Sequence, residues 1–166
     1  MTRPSARGAV RTRELLGLAA FIALCLGVSA LGGWVTAGSV ASWYPTLHKP
    51  AFNPPDWLFA PVWTVLYLMV AVAGWRVWRR RGFSGARGAM SAYALQLALN
   101  LGWSFVFFGG RMIGAALAEI VLLFVAIVVN EALFWRIERA AALLLVPYAA
   151  WVAVAAVLNA ELWRLN

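Results

Sequence analysis

The sequence predicts an all-α integral membrane protein: a five-transmembrane-helix bundle with a long Pro-rich loop between helices 1 and 2. Three observations predict it. Of the 166 residues, 64% are hydrophobic and only 12% charged, and mean hydropathy is +0.80, whereas soluble domains run at roughly half apolar and a quarter charged. The apolar residues fall into five runs, each near the roughly 20 residues a helix needs to cross a bilayer. The segments between them alternate between rich and poor in arginine, as positive-inside topology requires. A soluble domain of this size could not bury so much apolar surface in one core, and a disordered chain would hold far less of it.

Residues 1–13 read as a basic N-terminal tail carrying Arg3, Arg7, Arg11 and Arg13. Residues 14–166 read as a single transmembrane domain. The first span covers about 15–37. Basic-then-apolar order is also that of a signal peptide, but this run is longer than a usual signal core. Gly38 to Asp56 contains Pro45, Pro50, Pro54 and Pro55, and proline fixes φ and removes donors, so a loop with at most short helical turns is expected. The second span, about 57–78, ends at Arg79, Arg80, Arg81 and Gly82. The third, about 88–108, ends at Gly109, Gly110 and Arg111. The fourth, about 112–135, ends at Arg136, Glu138 and Arg139, and the fifth covers about 140–163. Short connections place sequential helices antiparallel. Pro61 and Pro147 each remove a helical hydrogen bond, so kinks are expected there.

Five spans put the N-terminus, the 79–87 connection and the 136–139 connection on one side. That side holds Arg3, Arg7, Arg11, Arg13, Arg76, Arg79, Arg80, Arg81, Arg87, Arg136 and Arg139, which is 11 of the 14 Lys and Arg residues. Lys49, Arg111 and Arg164 are the other three. In a bacterial inner membrane this bias puts the N-terminus in the cytoplasm and the C-terminus outside. The net charge of +8 is thereby explained by orientation, and no nucleic-acid partner is expected. Cys25 is the single cysteine, so no intrachain disulfide can form. One cysteine and one histidine, His48, argue against a metal centre or a nucleophilic triad.

Ten Trp residues need two explanations. Trp34, Trp43, Trp57, Trp75, Trp78, Trp135 and Trp163 fall near span ends, where an interfacial aromatic belt is expected. Trp63, Trp103 and Trp151 fall several residues inside. Gln96, Asn100 and Trp103 lie at i, i+4 and i+7 on one face of the third span, Trp63 and Tyr67 at i and i+4 on the second, and Trp151, Ala155 and Asn159 at i, i+4 and i+8 on the fifth. Glu119 lies about two turns into the fourth. An ionised carboxylate at that depth costs about 2.5–3.5 kcal/mol, so it should be protonated, paired or facing a wet cavity. Antiparallel topology gathers these residues in one half of the bundle, under the Pro-rich loop. An aromatic pocket is the expectation; interhelical hydrogen-bond glue is the alternative for Gln96 and Asn100. Glu131 reads as an interfacial residue reaching toward Arg136 or Arg139. Ala94, Ala98 and Gly102 on the third span, and Gly32 and Gly33 on the first, suit close helix packing or a homodimer seam.

Several stretches carry a family resemblance. They are Trp43-Tyr44-Pro45-Thr46-Leu47-His48-Lys49-Pro50, Asn53-Pro54-Pro55-Asp56-Trp57, Ala60-Pro61-Val62-Trp63-Thr64-Val65-Leu66-Tyr67 and Gln96-Leu97-Ala98-Leu99-Asn100. Trp103, Phe107-Phe108-Gly109, Pro147-Tyr148, Trp151 and Leu158-Asn159 continue the order. Together they resemble the translocator-protein family, also called TspO/MBR, tryptophan-rich sensory proteins or peripheral benzodiazepine receptors. The resemblance covers nearly the whole chain beyond the N-terminal tail. It implies a five-helix bundle, often a homodimer, whose first long loop covers a pocket for tetrapyrroles such as protoporphyrin IX and haem. By motif, the pocket residues would be Trp43, Trp63, Asn100, Trp103, Phe107, Trp151 and Ala155. The resemblance also raises light-dependent porphyrin degradation, with Trp63 and Trp151 as the residues concerned. The vertebrate cholesterol motif requires a Tyr that Leu158 to Arg164 lacks, which argues against a sterol site.

Three functions follow as expectations. The first is a receptor or sensor that binds tetrapyrroles and similar hydrophobic aromatic ligands, with no required cofactor, and that regulates tetrapyrrole handling or a stress response. The second is a porphyrin-degrading enzyme. The third is a transporter of small hydrophobic molecules, ranked lower because five spans without internal repeats lack the inverted symmetry of many transporters.

Overall fold

A computed structural model of the chain describes residues 6–166; residues 1–5, and with them Arg3, lie outside that range. Among the described residues there are helices and no strand. Helix α1 spans Ala6–Ser42, α2 Asp56–Gly85, α3 Arg87–Ser104, α4 Ile113–Trp135, α5 Arg139–Leu143 and α6 Val146–Leu165. A 3₁₀ turn covers Tyr44–Thr46, and a π turn covers Phe105–Gly109. Five stretches are long and apolar enough to cross a membrane: Val10–Ser42, Asp56–Gly85, Arg87–Gly109, Ile113–Trp135 and Arg139–Leu165.

The helices run past the apolar boundaries read from sequence. α1 already includes Arg11 and Arg13 rather than leaving them in a tail, and it continues through Gly38 to Ser42. This shortens the connection to residues 43–55. α2 likewise continues through Arg79, Arg80 and Arg81. The physical reason is the same at each place. A helix is sustained by its backbone bonds, Arg and Ala are good helix formers, and nothing stops it where the hydrocarbon stops. α2 breaks instead at Gly82, whose φ of 64° and ψ of 179° suit glycine alone. The predicted fifth span is two pieces, α5 and α6, separated at Leu144 and Leu145. Pro147 stands in the first turn of α6, where its missing N–H costs nothing.

α1 packs against α2 and α3, α3 against α4, and α4 against α6, while α2 closes the ring against α5 and α6. The core draws Val70, Ala71, Ala73 and Val77 from α2, Tyr93 and Leu97 from α3, Ile120, Leu123 and Ile127 from α4, and Tyr148 and Val152 from α6.

The end holding Arg76–Arg81 is tied by charge. Glu138 is 6% exposed, accepts a hydrogen bond from Arg76 and lies 3.5 Å from Arg80. Arg13, Arg79 and Arg139 sit over the rings of Trp78, Trp75 and Trp135 at 5.4, 4.6 and 5.5 Å. These three belt tryptophans therefore hold guanidinium groups as well as an interfacial position. Glu131 does not pair with Arg136 or Arg139. One of its carboxylate oxygens is buried without a hydrogen bond; α4 ends at Trp135, which leaves Arg136 just past the helix end and Arg139 at the start of α5.

Candidate binding site

At the other end of the ring, the side chains leave a cavity of about 540 Å³. Its floor, Tyr67 and Asn100, belongs to a polar chain between three helices that continues beneath it to Tyr148. The Tyr67 hydroxyl of α2 donates to Asn100 Oδ1 of α3, and Asn100 Nδ2 donates to the Tyr148 hydroxyl of α6 at 3.0 Å. One wall is held by a second amide. Trp103 Nε1 donates to Asn159 Oδ1 at 3.1 Å, and Asn159 Nδ2 donates to the Ile113 carbonyl at 2.9 Å. This fixes the Trp103 ring across α3, α4 and α6.

The π turn then re-aims the residues that follow. Gly110 N–H bonds the Phe105 carbonyl at 2.7 Å, five residues back, and the extra residue swings Phe107 into the interior, where it is 1% exposed. Phe107 stacks on Trp103 with ring centroids 5.0 Å apart, and Phe108 meets both rings edge-on. Such π turns recur at functional sites. On the opposite wall, Trp63 lies 5.7 Å from Tyr67 and 6.3 Å from Tyr148, and Trp151 meets Phe59 edge-on at 5.9 Å. Trp151 Nε1 is buried and has no hydrogen-bond partner.

The connection 43–55 reaches this end of the cavity. Tyr44 lines it and donates to Asn53 Oδ1 at 2.8 Å. The Lys49 ammonium lies 4.1 Å over the Tyr44 ring. Burial, reinforced by the Asp56 carboxylate and opposed by the bond to Asn53, pushes the Tyr44 phenol from 10.0 up to about 12. The His48 backbone exchanges two hydrogen bonds with the Asn166 side chain, at 2.9 and 3.1 Å, which joins the connection to the end of α6.

Of the residues singled out from sequence, Trp63, Tyr67, Asn100, Trp103, Phe107, Trp151, Ala155 and Asn159 all line this one cavity. Trp43 does not. It stands behind Phe107, with ring centroids 5.6 Å apart, and under the Arg111 guanidinium. Gln96 does not either. It is 1% exposed with neither amide atom bonded, one turn below Asn100. Glu119 stays out of the cavity, its carboxylate resting against Gly102 on the seam between α3 and α4.

A family model described as the TspO/MBR family matches residues 21–164. The chain belongs to the TspO/MBR family. It is 42% identical to a tryptophan-rich protein TspO of Chlorobaculum tepidum over 158 residues, covering 93% of this chain and 98% of that one. It is 37% identical to a translocator protein of Sus scrofa, covering 84% of this chain and 86% of the other. It is 36% identical to a tryptophan-rich sensory protein of Cereibacter sphaeroides, covering 84% and 88%. Five apolar helices and these relatives make it a multi-pass membrane protein.

One wall of this TspO/MBR cavity escaped sequence reasoning. Ser29, Gly32, Gly33, Thr36, Ala37 and Val40 of α1 line it, and only the two glycines had been noticed, for packing. Their spacing at i, i+4, i+7 and i+11 was a usable signal, although residues so small carry no chemical signature. Phe59 of α2 was also missed as a member of the aromatic surround.

Proposed function

We propose that this protein is a membrane receptor for tetrapyrroles, protoporphyrin IX above all, and that occupancy of its cavity is the signal it passes to tetrapyrrole handling or a stress response. The observation that carries the reading is a cavity of about 540 Å³ walled by Trp63, Trp103, Phe107 and Trp151, a size within the roughly 300–1,000 Å³ of small-molecule sites. Indole and phenyl faces stack on a flat conjugated ring. Among the described residues no His, Cys or Met lines the cavity, and its aromatic walls suit a macrocycle held by stacking. The relatives' names, sensory protein and translocator protein, are consistent with a receptor of this kind. The bias of arginine toward one end supports a cytoplasmic N-terminus, and the prolines of residues 43–55 support a loop that covers the site.

Titration of the purified protein with protoporphyrin IX in the dark, followed by Trp fluorescence, should give saturable quenching that weakens in Trp103→Ala. Linear, non-saturating quenching would sink the reading. A second reading, light-dependent degradation of the bound porphyrin, has one observation in its favour: Trp63 and Trp151 line the same cavity. Illumination of the complex distinguishes it. Product that forms in the unmodified protein, and not in Trp63→Phe/Trp151→Phe that still binds, would establish the enzyme.

A further inference from the structure

We infer that the cavity loads sideways, through a portal between α1 and α2 that opens into the lipid, and that its ligands are therefore planar amphiphiles dissolved in the bilayer rather than water-borne molecules. The inference rests on the binding role proposed above and names the route to that site.

Three observations carry it. First, α1 and α2 are fastened to each other toward the arginine end. There Trp75 Nε1 donates to the Glu14 carbonyl at 3.0 Å, the Phe21 and Trp78 rings are 6.2 Å apart, and Gly74 lets Phe21 and Tyr93 approach its backbone. Toward the other end α1 leans on α3 and the π turn instead. Ser39 Oγ donates to the Phe108 carbonyl at 2.6 Å, Gly32 faces Ser104, and Gly109 faces Val35. The cavity occupies the wedge between α1 and α2.

Second, the lining on both edges of that wedge is exposed. Gly33 and Ala37 of α1, and Ala60 and Thr64 of α2, line the cavity and are exposed. A Cβ added at Gly33 would meet nothing within 4 Å. Gly33 lies nine residues before Ser42, and Thr64 eight residues after Asp56. At about 1.5 Å per residue the opening reaches roughly 12 Å below the helix ends, at the depth of acyl chains rather than of water.

Third, the way in from the end is fastened. Tyr44 is 5% exposed and held by Asn53 and Lys49, and the connection is bonded to Asn166 of the α6 end. Entry from the end must break these contacts, while entry from the side breaks none of them.

The test uses the full chain in phosphatidylcholine–phosphatidylglycerol vesicles, with cysteines at Ala37 and Thr64. Native Cys25 is fully buried and can stay. A bifunctional maleimide bridges the wedge, and the same pair capped with a monofunctional maleimide controls for bulk. Protoporphyrin IX is added in the membrane, and Trp quenching is followed in time. Bridging before loading should slow uptake by about tenfold or more, and bridging after loading should slow release by a similar factor, as expected when a gate rather than a contact is changed. Equal rates in bridged and capped protein would overturn the portal. So would uptake that ignores the bridge yet quickens in Asn166→Ala, since that places entry under the connection. An absence of saturable quenching in the unbridged protein is a different result: it removes the binding role itself before any rates are compared.

Discussion

Asn100 is the centre of the cavity floor, and replacing it with leucine separates a structural network from decorative polarity. Leucine keeps the forked four-atom skeleton of asparagine and is somewhat bulkier, so the substitution opens no space. Two bonds vanish, the one accepted from Tyr67 and the one given to Tyr148. At about 0.6 kcal/mol each, the average within membrane bundles, that is about 1.2 kcal/mol. The larger cost is the Tyr67 hydroxyl, 6% exposed at the residue level and now without its acceptor, which adds about 1–3 kcal/mol. Asn100→Leu should therefore cost about 2–4 kcal/mol. Removing the stranded hydroxyls as well should return most of it, because replacing every partner by apolar groups is nearly neutral. Detergent unfolding in mixed micelles, followed by Trp fluorescence, measures both. The triple variant Asn100→Leu/Tyr67→Phe/Tyr148→Phe should be more stable than Asn100→Leu alone. A single-variant loss below about 0.5 kcal/mol, or a triple variant less stable than the single, would refute the network.

Other outcomes follow from the same geometry. Gly74→Ala places a Cβ 2.6 Å from Tyr93 Cζ and 2.9 Å from Phe21 Cε1, so overpacking should cost about 1–3 kcal/mol, read by the same unfolding. Gln96→Leu should stabilise the ligand-free protein by about 1–3 kcal/mol, because it removes two buried amide atoms that bond nothing; a loss of stability would show that the amide is served after all. The Tyr44 phenol is raised from 10.0 to about 12. Its contribution is therefore complete below pH 10 and lost as pH climbs through about 12. An alkaline titration of stability should lose that step in Tyr44→Phe, and an unchanged profile would refute the assignment.

The five spans were legible because lipid imposes a length and a hydropathy that no fold can disguise. Helix ends were not, because the arginines at 79–81 end the apolar run without ending the backbone ladder, and only Gly82 breaks it. The cavity lining was legible where a residue is both large and misplaced for an interface, as Trp63, Trp103 and Trp151 are. Rotation about the helix was the missing quantity. Gln96 and Asn100 are four residues apart and about 40° apart around α3, and that offset leaves one on the floor and the other beneath it. Trp43 lies off the cavity lining for another reason: the π turn sets Phe107 into the lining and against the Trp43 ring, and no periodicity foretells a five-residue turn.

What the cavity can discriminate follows from which of its polar groups are already engaged. Asn100 is held by two tyrosines, and Asn159 is shared between Trp103 and the Ile113 carbonyl. These amides shape the wall, and a ligand could recruit them only by breaking bonds inside the bundle. Trp151 Nε1 is buried without a partner, and Trp63 adds a further indole N–H and Ser29, Thr36 and Ser104 add hydroxyls to the lining. Recognition of the proposed ligand thus rests mainly on flat shape and stacking, with a few hydroxyl and indole donors added. Sites that read ligands through hydrogen bonds reject an analogue lacking the group by large factors, while apolar sites discriminate weakly among similar shapes. A range of planar aromatic compounds should therefore compete with protoporphyrin IX, their affinities tracking stacking area more closely than the number of polar substituents. Competition that instead collapsed on loss of one ring substituent would mean that the amides rearrange to meet the ligand, and the ligand-free floor would then be a resting arrangement rather than the binding surface.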